Sequence, residues 1–132
     1  MLLSLVYVSR ATSRLSRSDL LALRDQSNEA NERAAITGLL LHREGRFLQD
    51  LEGAEERVLD LYARIRRDPR HSDVTLVWTQ PVVDRRFDRW RMALAQLRGD
   101  PVELGAEGDQ MGAVLPEATL MCELLDLVDP QR

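Results

Sequence analysis

The chain has 132 residues, is 44% hydrophobic and 30% charged, and carries a formal net charge of −4, the profile of one ordinary globular domain. One cysteine, Cys122, excludes an intramolecular disulfide framework and any multi-cysteine metal centre, and two histidines, His42 and His71, leave little for a histidine-rich one. The first charge, Arg10, follows the opening apolar run instead of preceding it, and no apolar stretch nears the roughly 20 residues that cross a bilayer, so a soluble, cytoplasmic domain is expected.

Leu2–Ser9 is a short apolar run rich in β-formers, bounded by Arg10, Ala11, Thr12 and Ser13, and reads as a strand. Ser16 is placed as an N-cap, with Asp19 three residues on completing a capping-box pattern. Leu20, Leu23, Ser27 and Asn31 then step along one helical face that ends near Asn31. Ile36–His42 reads as a second strand, Arg43, Glu44 and Gly45 as a turn, and Arg46–Glu52 as the hairpin partner. Beyond Gly53, the positions Val58, Leu61, Ile65 and Asp68 again fall at helical spacing until Pro69 stops them. Val74–Thr79 and Phe87–Leu94 are the fourth and fifth strands, the latter with Trp90, Met92 and Leu94 on one face.

Charge then divides the chain. Residues 1–99 hold 17 arginines against 14 acids, whereas residues 100–132 hold eight acids against Arg132 alone. Apolar residues punctuate this acidic end throughout, so it reads as solvated faces of two helices, near 101–111 and 117–128, the second opened by Pro116. The resulting order is that of a ferredoxin-like βαββαββ α+β sandwich: a five-stranded mixed sheet, two long helices on one face and two C-terminal helices on the other.

Fold alone assigns no function; residues that break the core pattern are more telling. Gln49 shares a strand face with Phe47 and Leu51, and burying its amide without partners costs about 1–3 kcal/mol. Either that face is exposed or something satisfies both ends of the amide. Tyr7 lies on the face of Leu3 and Leu5, as a core tyrosine bonded to backbone would. In a ferredoxin-like sheet, however, it becomes a cross-strand neighbour of Gln49. Leu23, Ser27 and Asn31 on the first helix and Arg64, Ile65 and Asp68 on the second complete a groove with an apolar slot and a polar rim, suited to a planar heterocycle. Arg64 and Asp68 also read as a surface i,i+4 ion pair.

The arginines interleaved with Phe87 and Trp90 are diluted by Asp84 and Asp88 and do not make a nucleic-acid surface. His71, Cys122 and the absence of a phosphate loop or a nucleophile–base pair give no enzyme constellation.

The strings LVYVSRAT at 5–12, DL at 19–20, ITGLLL at 36–41, GRFLQDLEG at 45–53, LYARIRRDPRH at 61–71 and RRFDRWRMAL at 85–94 resemble, in order and without large gaps, the BLUF domain, a blue-light sensor that uses flavin. The resemblance implies residues 1–97 as a flavin-binding core and 98–132 as a helical cap of the same globular unit. It implies Tyr7 as the photoactive tyrosine and Gln49 as the glutamine bridging it to the flavin. It further implies Asn31 and Ser27 at the pyrimidine edge, Leu23 and Ile65 sandwiching the ring, Arg64 and Asp68 at its carbonyl edge, and His71 in the same segment. Trp90 and Met92 resemble the fifth-strand pair that exchange places near the glutamine. Ala30 departs from the pattern, because many members carry a second asparagine there. FAD is the implied cofactor, with FMN and riboflavin suited to the same ring site. The implied partners are a downstream protein and a second copy of the chain, as a dimer or larger homo-oligomer, with neither nucleic acid nor membrane. No fused catalytic output is expected, so the reading is a light switch and not a turnover enzyme. A ferredoxin-like acyl-phosphate hydrolase and a colourless interaction module are the competing readings.

Overall fold

The computed structural model describes residues 1–95, 101–104, 111–114 and 116–128. In chain order the elements are β1 (Leu2–Ala11), α1 (Arg17–Arg33), β2 (Thr37–Arg43), β3 (Arg46–Ala54), α2 (Glu55–Arg67), β4 (His71–Val82), β5 (Trp90–Leu94), β6 (Val102–Leu104), β7 (Met111–Val114) and α3 (Pro116–Val128). The strands form one mixed sheet in the order β4-β1-β3-β2-β5-β6-β7, with β2 and β5 parallel. The α+β class and the βαββαββ core are as expected.

Local chemistry accounts for the element limits. The Ser16 Oγ accepts from the Asp19 N–H at 3.1 Å, and the Asp19 carboxylate accepts from the Ser16 N–H at 2.8 Å, a closed capping box. In the β2–β3 turn Glu44 and Gly45 both take positive φ, 48° and 79°, the pair of left-handed residues that a two-residue hairpin turn requires. That turn fixes the register, setting Leu40 opposite Gln49. Asp68 precedes Pro69, which bars helical geometry at the preceding residue; it caps α2 in extended backbone, φ −74° and ψ 121°.

Alternation along β1 sorts the core. Leu3, Leu5 and Tyr7 turn toward Ile36, Leu51 and Val58 of the face covered by α2. On the same face Leu20 of α1 packs with Leu40, Phe47, Trp90 and Met92. Val6 and Val8 turn the other way, joining Leu39, Leu41, Leu48 and Phe87 beneath Ala118, Met121 and Leu125 of α3.

Three expectations are corrected. The sheet has seven strands among the described residues, not five. The helix expected near 101–111 is replaced at its described ends by β6 and β7, which pair antiparallel; residues 105–110 lie outside the described residues. The acids there suggested a helical face, but Gly105, Gly108 and Gly112 each disfavour a helix by about 1 kcal/mol. Among the described residues one C-terminal helix, α3, therefore covers the back face where two were expected. The fifth strand also starts at Trp90, not Phe87, because the Glu52 carboxylate accepts the N–H groups of Arg86 and Phe87 at 2.8 and 3.1 Å and holds them off the ladder.

Candidate functional site

Between α1 and α2, over the centre of the sheet, lies a cleft of about 270 Å³, near the lower limit of small-molecule sites. Its floor comes from sheet register. Tyr7 stands directly opposite Gln49 in the β1–β3 ladder, Gln49 opposite Leu40, and Leu40 opposite Met92. Period-two alternation puts all four on the helix-bearing face.

The Tyr7 hydroxyl donates to the Gln49 Oε1. Both side chains are buried, so the bond satisfies one end of the amide and leaves its NH₂ end to serve a ligand in the cleft. Burial, reinforced by Tyr62 and Asp68, pushes the Tyr7 hydroxyl far above the ordinary tyrosine range. Its proton stays on. The Tyr62 ring stacks against it at 5.6 Å, tilted by 50°.

Leu23 and Ile65 face the cleft from α1 and α2, with Ser27, Asn31, Arg64, Asp68 and His71 around them. Asn31 is only 4% exposed, so its carboxamide is a buried polar group that a ligand can satisfy. The His71 Nδ1 lies 3.0 Å from the Ser9 hydroxyl, and its ring meets Phe47 edge-on at 5.3 Å. Burial holds this imidazole below its usual range and so favours the neutral form at neutral pH.

All nine residues expected to touch the ligand line this one cleft. One pairing differs from expectation. Arg64 reaches Asp60 at 3.9 Å, whereas Asp68 is held by Arg70, with Nη2–Oδ2 at 2.7 Å and the Arg70 N–H at 2.9 Å. The extended cap at Asp68 turns its carboxylate forward to Arg70, away from helical i,i+4 geometry. The Arg70 bonds hold Asp68 below the usual carboxylate range, so the group is anionic.

Trp90 and Met92 are buried on β5 but do not line the cleft; Leu40 separates Met92 from Gln49. Sequence reasoning missed Gln26, Leu40, Leu61 and Arg70 as cleft residues. Arg70 donates to the Gln26 Oε1 at 3.0 Å, bridging α1 to the segment after α2. Gln26 was legible at three residues past Leu23, and Leu40 from the hairpin register. Arg70 had no such periodic signal.

The cleft fits a flat heterocycle: apolar side chains on two facing helices, a tyrosine–glutamine floor and a rim of amide, carboxylate and guanidinium. Among the described residues no cluster suits a metal ion, and no helix is long and apolar enough to cross a membrane.

Comparison with known proteins gives the same answer. The family model described as sensors of blue-light using FAD matches residues 2–93. Photoactivated adenylate cyclase subunit beta of Euglena gracilis is 44% identical over 95 residues, covering 71% of this chain and 11% of that protein. The alpha subunit is 35% identical over 115 residues, covering 87% of this chain and 10% of that one. The chain thus spans about a tenth of the length of these curated relatives. Among solved structures, a bacterial light-regulated adenylyl cyclase superposes with a TM-score of 0.70 at 30% identity, over 97% of this chain and 34% of that one. The dark-state structure of BlrB gives 0.65 at 33% identity, over 70% of each chain.

Proposed function

The chain belongs to the BLUF family, whose members sense blue light through flavin, and on that premise we propose that Tyr7 and Gln49 form its light-operated switch. The observation that carries this reading is the buried hydrogen bond from the Tyr7 hydroxyl to the Gln49 Oε1, set in the floor of the cleft.

Of the residues lining the cleft, Leu23 and Ile65 would hold the ring between the helices, Asn31 and Gln49 would offer amides to its hydrogen-bonding edge, and Arg64 and Asp68 would meet its carbonyl edge. When bound, the flavin supplies the blue absorption and, once excited, an electron acceptor. Tyr7 is the donor. Its buried hydroxyl does not ionise beforehand, so it would supply an electron and then a proton, the proton along the existing bond to the Gln49 Oε1, and both would return to Tyr7 in the dark. The two ends of an amide are chemically different. Rotation or tautomerisation of Gln49 therefore changes which bonds it offers to Tyr7 and to the ligand. A stronger bond from Gln49 to a ring carbonyl would red-shift the absorption, and return of the amide to its first arrangement in the dark would reverse it.

FAD is the proposed cofactor, the one named in the description of the matching family; the matched residues concern the ring end, so FMN and riboflavin suit the same contacts. The change leaves the site through β5, whose Met92 is one strand from Gln49's neighbour Leu40, and reaches the region of 98–132. There Ala118, Met121 and Leu125 of α3 pack on the back of the sheet, which supports a cap that is part of one unit with the 1–97 core. Output passes to a partner protein or alters self-association.

Reconstitution of the purified chain with FAD, FMN and riboflavin in turn tests the reading. Quenched flavin fluorescence on binding and a reversible red shift under blue light support it. A chain that binds none of the three contradicts it.

A further inference from the structure

The face of β3 opposite the cleft carries two buried carboxylates, Asp50 and Glu52, 5% and 0% exposed. Neither takes part in the chemistry above. Both are held by Arg86, from the segment joining β4 to β5. Its Nη2 reaches the Asp50 Oδ2 at 2.7 Å and its Nε the Glu52 Oε2 at 2.8 Å. The Ser4 hydroxyl donates to the other Asp50 oxygen at 3.0 Å. The remaining Glu52 oxygen accepts the backbone N–H groups of Arg86 and Phe87. Arg85 ties the same segment to the carbonyls of Ala35 and Glu52, at 2.8 and 3.0 Å.

This clamp lies between the two parts of the switch. Asp50 follows Gln49 on β3, so the photoactive amide and the clamp occupy opposite faces of one short stretch of strand. Arg86 sits four residues before Trp90, where β5 begins. The Arg89 carbonyl next to that start accepts the Gly38 N–H at 3.3 Å. The clamp thus fixes where β5 enters the sheet, and with it the seating of Trp90 and Met92 in the row beside Gln49. Conversely, a shift of Gln49 on one face of β3 loads Asp50 on the other.

Resting on the photoreceptor reading above, we propose that Asp50, Glu52 and Arg86 form a positioning clamp that seats Trp90 and Met92 against the Gln49 row and sets the lifetime of the light-altered state, with Asp50 as its releasable arm.

The two arms differ in strength. Glu52 takes three donors, two of them backbone, and has no reason to let go. Asp50 has only the Arg86 Nη2 and the Ser4 hydroxyl, and one guanidinium between two buried carboxylates leaves a negative charge uncompensated. Burial accordingly pushes the Asp50 carboxyl up to about 6, opposed by Arg86 and Ser4 and assisted by Glu52. Those are the charged and polar groups that face it: Ser4 from β1, Glu52 from β3 and Arg86 from the connecting segment. Trp78 of β4 and Leu120, Met121 and Leu124 of α3, which share its pocket, add no titratable group. Protonation weakens the charge-assisted bond to Arg86 and frees one arm while Glu52 holds the other.

The test uses the full chain loaded with FAD, measuring the light-minus-dark spectrum and the rate of dark recovery between about pH 5 and 8. The proteins are the wild type, Asp50→Asn, Arg86→Gln and Arg86→Lys. All four are expected to keep the light-induced shift, because none of the altered residues meets the cleft. At the alkaline end Asp50→Asn and Arg86→Gln are expected to recover about three- to tenfold faster, a lowered barrier to reseating β5, with Arg86→Lys in between. The wild type is expected to accelerate as the pH falls through about 6, and Asp50→Asn to lack that step. Wild-type rates with a wild-type pH profile in both Asp50→Asn and Arg86→Gln overturn the clamp alone. Arg86 is half-exposed, so its variants give the decisive reading even where Asp50→Asn folds poorly. A wild type with no reversible shift overturns the photoreceptor reading, and the clamp's role with it.

Discussion

Tyr7 and Gln49 face each other directly across the β1–β3 ladder, and the Tyr7 hydroxyl donates to the Gln49 amide oxygen beneath the cleft. Opposed residues in an antiparallel pair are obligatory neighbours. The contact is therefore built into the backbone register and does not depend on a loop. The pair sits on two interior strands of the sheet.

Tyr7→Phe keeps the ring that fills the floor and deletes only the donor. Flavin binding is expected to persist, the light-induced red shift to vanish, and stability to fall by about 1–3 kcal/mol, because the Gln49 oxygen loses its partner in a buried site. Gln49→Leu is expected to abolish the shift as well. Light-minus-dark spectra and urea unfolding read both effects; a normal shift in Tyr7→Phe contradicts the assignment.

Asn31 is buried in α1 with its carboxamide at the cleft. Its replacement by alanine removes hydrogen bonds to the ring edge without disturbing the sheet. Flavin affinity is expected to fall about tenfold, the equivalent of roughly one such bond. Fluorescence titration measures it, and an unchanged affinity places the ring elsewhere.

Gly38 has φ +148°, and a Cβ built there falls 1.9 Å from the Asp50 carbonyl oxygen. No side chain fits between β2 and β3 at this point. Gly38→Ala is expected to cost about 3 kcal/mol or more, through strained backbone and displaced strands together. It also pushes on the carbonyl of the residue next to Gln49, so a surviving fraction is expected to show altered dark recovery. Chemical denaturation gives the stability.

Asp50 imposes a pH dependence on folding. Its carboxyl is raised from 3.8 to about 6 in the folded protein, so the folded state binds more protons than the unfolded one between these values. Stability from this group is gained as the pH falls, by about 1 kcal/mol between roughly pH 7 and 5, and is absent at alkaline pH. His42 and His71 oppose it: burial lowers both, so the unfolded chain takes up their protons first and stability falls as the pH drops. The difference between wild type and Asp50→Asn isolates the carboxyl. The wild type is expected to gain on the variant toward acid pH in thermal unfolding; parallel curves contradict this.

The sequence made the sheet core and the cleft legible where a periodic or capping signal existed. Ser16 and Asp19 marked the start of α1, the Glu44–Gly45 turn fixed Leu40 opposite Gln49, and Pro69 ended α2. Gln49 stood out because an amide between Phe47 and Leu51 needs partners, and Tyr7 is one. Three things were hidden. Arg70 captures Asp68 through an extended cap, against the helical spacing that suggested Arg64. Glu52 reads as an ordinary strand residue, yet it holds the N–H groups of Arg86 and Phe87 and delays β5 to Trp90. The acids after residue 100 masked the short alternating runs of β6 and β7. Each miss is a side chain or a charge overriding a local pattern, which periodicity does not register.

The absorption spectrum of the flavin-loaded chain, recorded before and after blue illumination and through dark recovery, tests the central claim most directly. A flavin band that moves reversibly to the red, and does so only with Tyr7 and Gln49 both intact, is the predicted result. A flavin that binds and merely bleaches, with no dark return, contradicts the claim that this tyrosine–glutamine pair is a light switch.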